Sequence, residues 1–192
     1  MLLKKILITG GACAGKTTIL KLIKQYLEEK NYNVNIIEEV PTKLINEGVT
    51  PEKIGKMEFQ ELIIKTQINS EKNCPKDGIN IFDGSPIDSM KFITREEFDK
   101  IVKKYKSNFE EIINGYDGIL FLETVAKEFP KLYSNENNKA RLTDVEGAVF
   151  RNDKLFNVYN VCSKIYLIKP DSDLEVKKKR VIEAIKKIIE KN

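Results

Sequence analysis

Residues 10–17 read Gly-Gly-Ala-Cys-Ala-Gly-Lys-Thr, the spacing G-x-x-x-x-G-K-[ST]. The chemistry this run can do is to hold phosphate. Gly10, Gly11 and Gly15 allow tight backbone turns, and the small Ala12, Cys13 and Ala14 let successive N–H groups point at an anion. Lys16 would reach the β- and γ-phosphates, and the Thr17 hydroxyl would ligate Mg²⁺. Thr18 follows in the first turn of the ensuing helix, whose N-terminus adds partial positive charge. Cys13 has two readings, a thiol activated beside a lysine or a small side chain filling a tight loop, and the filler reading is preferred.

Two further runs supply carboxylates. Glu38-Glu39-Val40-Pro41 follows one apolar stretch, and Asp83-Gly84-Ser85-Pro86 follows another. If both stretches are parallel strands, Glu39 and Asp83 lie on the same sheet edge as the phosphate loop. One carboxylate can then hold Mg²⁺ while the other accepts a proton from an attacking hydroxyl. Glu38 reads equally well as a solvated strand end. The chain has no histidine, which removes Ser-His-Asp and Cys-His catalysis and histidine metal sites. Acid–base work falls to carboxylates, lysine, tyrosine or water.

The elements that would position these groups are legible as alternation. Apolar, β-branched runs at 4–9, 33–38, 79–83, 118–122 and 164–169 are continuous rather than alternating, as in parallel strands buried on both faces. Helical periodicity covers 15–30, 50–72, 95–114, 145–161 and 173–190. Thr50-Pro51 reads as an N-cap and first helical residue. The order implies right-handed crossovers and a doubly wound α/β sheet. The 192 residues, with no linker or repeat, read as a single domain, and the polar, asparagine-rich segment 123–144 as a lid.

Composition narrows the partners. A net charge of +4, with Lys and Glu interleaved, does not point to nucleic acid. No run is apolar for long enough to span a membrane, and no signal-peptide pattern is present. Cys13, Cys74 and Cys162 lack paired spacing, as expected for reduced thiols in a cytoplasm. The lysines of the run beginning at Val176 lie opposite an apolar stripe and read as a solvated helix face.

The stretches LITGGACAGKTTIL, EEVPTKLINEG, FQELIIKTQ, IFDGSP, YDGILFLE and NNKARLTDVEGA resemble, in order, the P-loop kinase-like ATPases related to the ribosylnicotinamide kinase domain. More distantly the chain is similar to deoxynucleoside kinases. The resemblance implies a P-loop NTPase fold: a five-stranded, mostly parallel sheet with helices on both faces and a lid. It implies Glu39 as general base and Phe59-Gln60 as the pair that stacks on and hydrogen-bonds an acceptor base, with Gln67 along the same helix face. Phe59 reads equally well as core. The resemblance also implies Arg141 as a lid arginine over the phosphates, while Lys127, Lys131, Lys139 and Arg151 read as surface charge. Two departures stand out: Gly84 follows Asp83 where these kinases usually carry arginine, and Lys169-Pro170 replaces their pattern after the last strand.

The expected activity is Mg²⁺-dependent phosphoryl transfer from ATP to a nucleoside-like small molecule, with GTP left open because no Asn-Lys-x-Asp motif occurs. The alternative is a regulatory NTP-binding module that signals to a protein partner. Oligomeric state is not encoded in these features.

Overall fold

The computed structural model describes residues 3–133 and 144–190. Five strands, β1 (Leu3–Gly10), β2 (Val34–Ile37), β3 (Gly78–Asp83), β4 (Gly118–Leu122) and β5 (Ile165–Ile168), form one sheet in the order β2-β3-β1-β4-β5. All four pairings are parallel, where the sequence implied a mostly parallel sheet. Register decides where the chemistry gathers. Ile8 pairs with Asp83, and Gly10 pairs with Leu122, so the phosphate loop leaves the central strand beside the end of β3. That central edge is where the chain switches from one side of the sheet to the other.

Adjacent residues of a strand face opposite sides, so a continuous apolar run feeds two cores. Leu7, Phe82, Ile119 and Phe121 pack on one face beneath α4 (Lys56–Lys72), α5 (Arg95–Lys104), α6 (Phe109–Asn114) and α7 (Val145–Tyr159). Ile6, Ile8, Ile81, Leu120 and Leu122 pack on the other beneath α1 (Lys16–Glu29) and α8 (Leu174–Glu190). Each such side chain, removed from water, contributes roughly 1.5–3 kcal/mol before entropy is counted. The expectation of burial on both faces holds for β1, β3 and β4; β2 and β5 are half-buried because they are edges.

The helices depart from the periodicity in identifiable ways. The expected helix over 50–72 is two, α3 (Pro51–Ile54) and α4, broken at Gly55, whose φ of 93° and ψ of 148° no helix can hold. Pro51 does begin α3, but the Thr50 side chain caps nothing. The expected helix over 95–114 is α5 and α6, separated where Lys106 takes a φ of 53°. Local side chains reinforce the second start: Thr94 and Glu97 form a reciprocal capping box on α5, and Asn108 caps α6. A seven-residue helix, α2 (Val40–Asn46), escaped the periodicity reading because it is one apolar patch, Val40 and Leu44, packed on Phe59 and Ile63. Among the described residues no helix is long and apolar enough to cross a membrane.

Candidate active site

The phosphate loop is shaped from outside. The Gly11 N–H donates to the Leu122 carbonyl at 3.1 Å, carrying the β1–β4 ladder one residue past the strand. A Cβ on Gly10, whose φ is 141°, would lie 2.0 Å from that same carbonyl oxygen. One on Gly11 would lie 2.6 Å from Asn152 Oδ1. Thr124 donates its hydroxyl to the Ala12 carbonyl at 2.6 Å, and Lys177 donates to the Ala14 carbonyl at 2.9 Å. These two bonds hold the Ala12 and Ala14 carbonyls and so fix the course of the loop from behind. Cys13 takes a φ of 54°, and Gly15, at 75°, is the N-cap of α1 with no side-chain cap. The first turn of α1 therefore presents uncapped N–H groups above Lys16, Thr17 and Thr18.

Three of these supports, Thr124, Asn152 and Lys177, were invisible to sequence reading because no motif spacing links them to residues 10–17. Lys177 corrects the reading of its run as a solvated face. It is 5% exposed, and burial holds its ammonium below the ordinary lysine pKa. Thr124 is itself held by Asn152, whose Oδ1 accepts from the Thr124 N–H at 3.1 Å.

The two strand-end carboxylates meet at the loop. Burial and then the Glu39 charge push the Asp83 carboxyl up to about 6, against the pull of Lys16. Among the described residues its buried Oδ1 has no hydrogen-bond partner. A buried oxygen without a donor, beside a second carboxylate, is an environment that a cation would relieve. The Thr17 hydroxyl and the Asp83 carboxylate are hard oxygen donors of the kind Mg²⁺ takes alongside phosphate and water. Glu39 is half-buried at the N-terminus of α2, and its Oε2 accepts from the Thr42 hydroxyl at 2.8 Å, leaving Oε1 available. Glu38 is exposed, as a solvated strand end should be.

Gly84 has a φ of 87°, and a Cβ there would meet Asp88 Oδ2 at 3.2 Å and Gln67 Nε2 at 3.5 Å. A side chain at this position would therefore be strained as well as crowded. Asp88 belongs to a network the sequence did not announce. Its Oδ1 accepts from the Thr9 and Tyr159 hydroxyls at 2.7 Å each, and Tyr159 is hydrogen-bonded to Ser85 Oγ at 2.7 Å. These bonds fix the 3-10 helix Pro86–Lys91 between β1 and α7.

On the acceptor side, Phe59 is buried in the core with Val40, Leu44 and Ile63, the packing role. Gln60 and Gln67 are over nine-tenths buried, and among the described residues neither Oε1 has a hydrogen-bond partner. Gln67 and Gly84 line a narrow recess with Ile37, Val40, Glu71 and Phe82. A second, larger groove of about 520 Å³ lies past β5, lined by Glu128, Phe129, Leu167, Lys169, Pro170 and Arg180. Lys127 is no loose surface charge: it pairs with the buried Glu123 and with Asp153, both at 2.9 Å, joining the start of the lid segment to α7. Arg141 and Lys139 lie outside the described residues.

No curated protein matches the chain. Among solved structures, the deoxyadenosine kinase from M. mycoides with bound dATP superposes with a TM-score of 0.66 at 17% identity, covering 95% of this chain and 99% of its own. The thymidylate kinase from Ehrlichia chaffeensis gives 0.66 at 16% identity, covering 95% and 98%. The NadR protein in complex with NR gives 0.66 at 18% identity, covering 97% of this chain and 51% of its own. At these identities the likeness is one of fold, and the shared fold is that of P-loop kinases. The model of the AAA domain matches residues 5–177, which takes in most of β1, the other four strands, the phosphate loop and its supporting residues. The chain belongs to the AAA domain family.

Proposed function

We propose that the protein is a Mg²⁺-dependent phosphotransferase that moves the γ-phosphoryl group of ATP to a hydroxyl of a nucleoside-like small molecule. The observation that carries this is the register of the sheet, which sets Asp83 at the end of β3 opposite Ile8 and brings Glu39, just past β2, to the same edge as the phosphate loop. The residues divide the work. Backbone N–H groups of residues 10–18 hold the phosphates, and Lys16 neutralises charge on the β- and γ-positions. Thr17 and Asp83 would hold Mg²⁺, which shields the phosphate charge when bound. Glu39, through its free Oε1, accepts the proton as the acceptor oxygen bonds to the γ-phosphorus and the bond to the ADP oxygen breaks. The groove past β5 is the proposed seat of the donor base, and Gln60, with an unpaired carbonyl, reads an acceptor base. Phe59 supports that glutamine from the core. Arg141 is assigned to the transferring group by resemblance alone. The ligands bound in the neighbours, dATP and NR, are of the proposed substrate class.

The test is ATP consumption across nucleosides, ribosylnicotinamide and other small alcohols. Acceptor-dependent turnover is expected, with Glu39→Gln losing at least about 100-fold in kcat while ATP affinity stays within a few-fold. Lys16→Ala should lose nucleotide affinity outright. Equal turnover by Glu39→Gln would remove it as the base. Absence of acceptor-dependent turnover across the whole panel would favour the regulatory NTP-binding module instead.

A further inference from the structure

The narrow recess beside the candidate carboxylates has no part in the reaction above. Its apolar lining is Ile37, Val40 and Phe82, and its polar lining is Glu38, Gln67, Ser70 and Glu71, with the bare backbone of Gly84 completing it. The chain ties it to the proposed reaction centre twice. Glu39 stands between the lining residues Glu38 and Val40, and Asp83 stands between Phe82 and Gly84. The space is about 10 Å³, room for one water-sized group and no more.

What the recess offers is chiefly hydrogen-bond acceptors. Gln67 Oε1 is buried, and among the described residues it has no hydrogen-bond partner. The amide end of Gln67 stands at position 84: a Cβ on Gly84 would lie 3.5 Å from its Nε2 and 3.2 Å from Asp88 Oδ2. Glu38 and Glu71 add carboxylates, and only one oxygen of Glu71 accepts from the Tyr116 hydroxyl. Among the described residues that line the recess there is no lysine or arginine. A buried amide oxygen without a donor is costly until one reaches it. A water-sized group rich in N–H donors, an amino group, meets that need. An oxo group of the same size would bring lone pairs against the carboxylates of Glu38, Glu71 and Asp88.

We propose that this recess receives an amino group of the acceptor, which donates to Gln67 Oε1, and that it thereby selects amino-bearing acceptors over their oxo or acid counterparts. Gly84 is what leaves the room, since any side chain there would stand between Gln67 and Asp88. The amino group has two sources: the exocyclic amine of a base such as cytosine or adenine, or a carboxamide such as that of nicotinamide. The inference rests on the proposed kinase reading and names its acceptor class. Binding is measured apart from turnover, so that the two fail separately.

The experiment titrates matched acceptors calorimetrically into protein loaded with Mg²⁺ and AMP-PNP. The pairs are cytidine against uridine and adenosine against inosine, each also as the 2′-deoxy form, and ribosylnicotinamide against its carboxylic acid. The wild type should bind the amino-bearing member of at least one pair at least about tenfold more tightly, and that pair identifies the source. Gln67→Met keeps the packing but removes the amide, and should bring the same pair to within about twofold. A purely structural role for Gln67 would weaken both members alike and leave their ratio unchanged, which overturns the proposal. Equal affinity, or no measurable binding, in every pair overturns it too, as expected of a recess that holds only water. Should thermal melts show that Gln67→Met does not fold, Gln67→Asn withdraws the same amide from Gly84 and is judged by the same ratio. A preference in a protein without acceptor-dependent turnover would keep the recess and discard the kinase reading. Turnover without a preference would do the reverse.

Discussion

At Asp83 two requirements oppose each other: the carboxylate must be charged to hold a cation, yet it sits where charge is penalised. Its native pKa of about 6 stands above the ordinary 3.8, so the folded protein binds the extra proton between those values. The stability this confers is present below pH 4 and is lost as pH rises through 6. Asp83→Asn removes the buried charge and is expected to stabilise the metal-free protein at pH 7.5 by on the order of 2 kcal/mol. Urea denaturation at pH 7.5 and pH 4 checks this, since the gain should vanish at the lower pH. Mg²⁺-dependent nucleotide binding should be lost in the same variant. Glu71 shows the same physics away from the loop. Burial pushes it up to about 7, against the hydrogen bond donated by the Tyr116 hydroxyl. Glu71→Gln keeps an acceptor for Tyr116, so it should gain stability at pH 8 and none at pH 4, read from melting temperatures at the two pH values. Glu39 and Asp83 were legible as strand-end carboxylates; their mutual field was not, because it depends on distances across the sheet.

At the scale of elements, the strand–loop–helix unit is held open by residues from three distant elements. Thr124 and Lys177 occupy the Ala12 and Ala14 carbonyls, and Asn152 fixes Thr124. Lys177→Met preserves the aliphatic packing but frees the Ala14 carbonyl, so a loss of about 1–2 kcal/mol in nucleotide binding is expected. Calorimetric titration with Mg²⁺ and ADP checks it, and an unchanged affinity would mean that the loop keeps its shape unaided. The periodicity reading found α1, α7 and α8 because each carries a sustained apolar stripe. It merged α3 with α4 because the break at Gly55 is a backbone event within an unbroken helical pattern.

Across the whole molecule, the seam between the sheet and its covering helices is tight where β4 meets α8. Gly118 begins β4 directly beneath α8, and a Cβ there would sit 2.4 Å from Ile188 Cδ1. Gly118→Ala is expected to cost about 1–3 kcal/mol by overpacking. Gly118→Ala/Ile188→Ala should be less destabilised than the sum of its single changes in urea denaturation, because the second change makes room for the first. Simple additivity would show that α8 shifts freely on the sheet.

The sequence by itself determined the class of sheet, the phosphate loop and its two accompanying carboxylates. Those signals are local: continuous apolar runs, glycine spacing and a lysine–hydroxyl pair within residues 10–17. The tertiary structure alone decided the strand order and the register that sets Asp83 beside Ile8. It alone brought Lys177, Thr124 and Asn152 behind the loop. The physical reason is separation along the chain. Lys177 and Ala14 stand 163 residues apart, and only the packing of α8 on the sheet gives that carbonyl its donor.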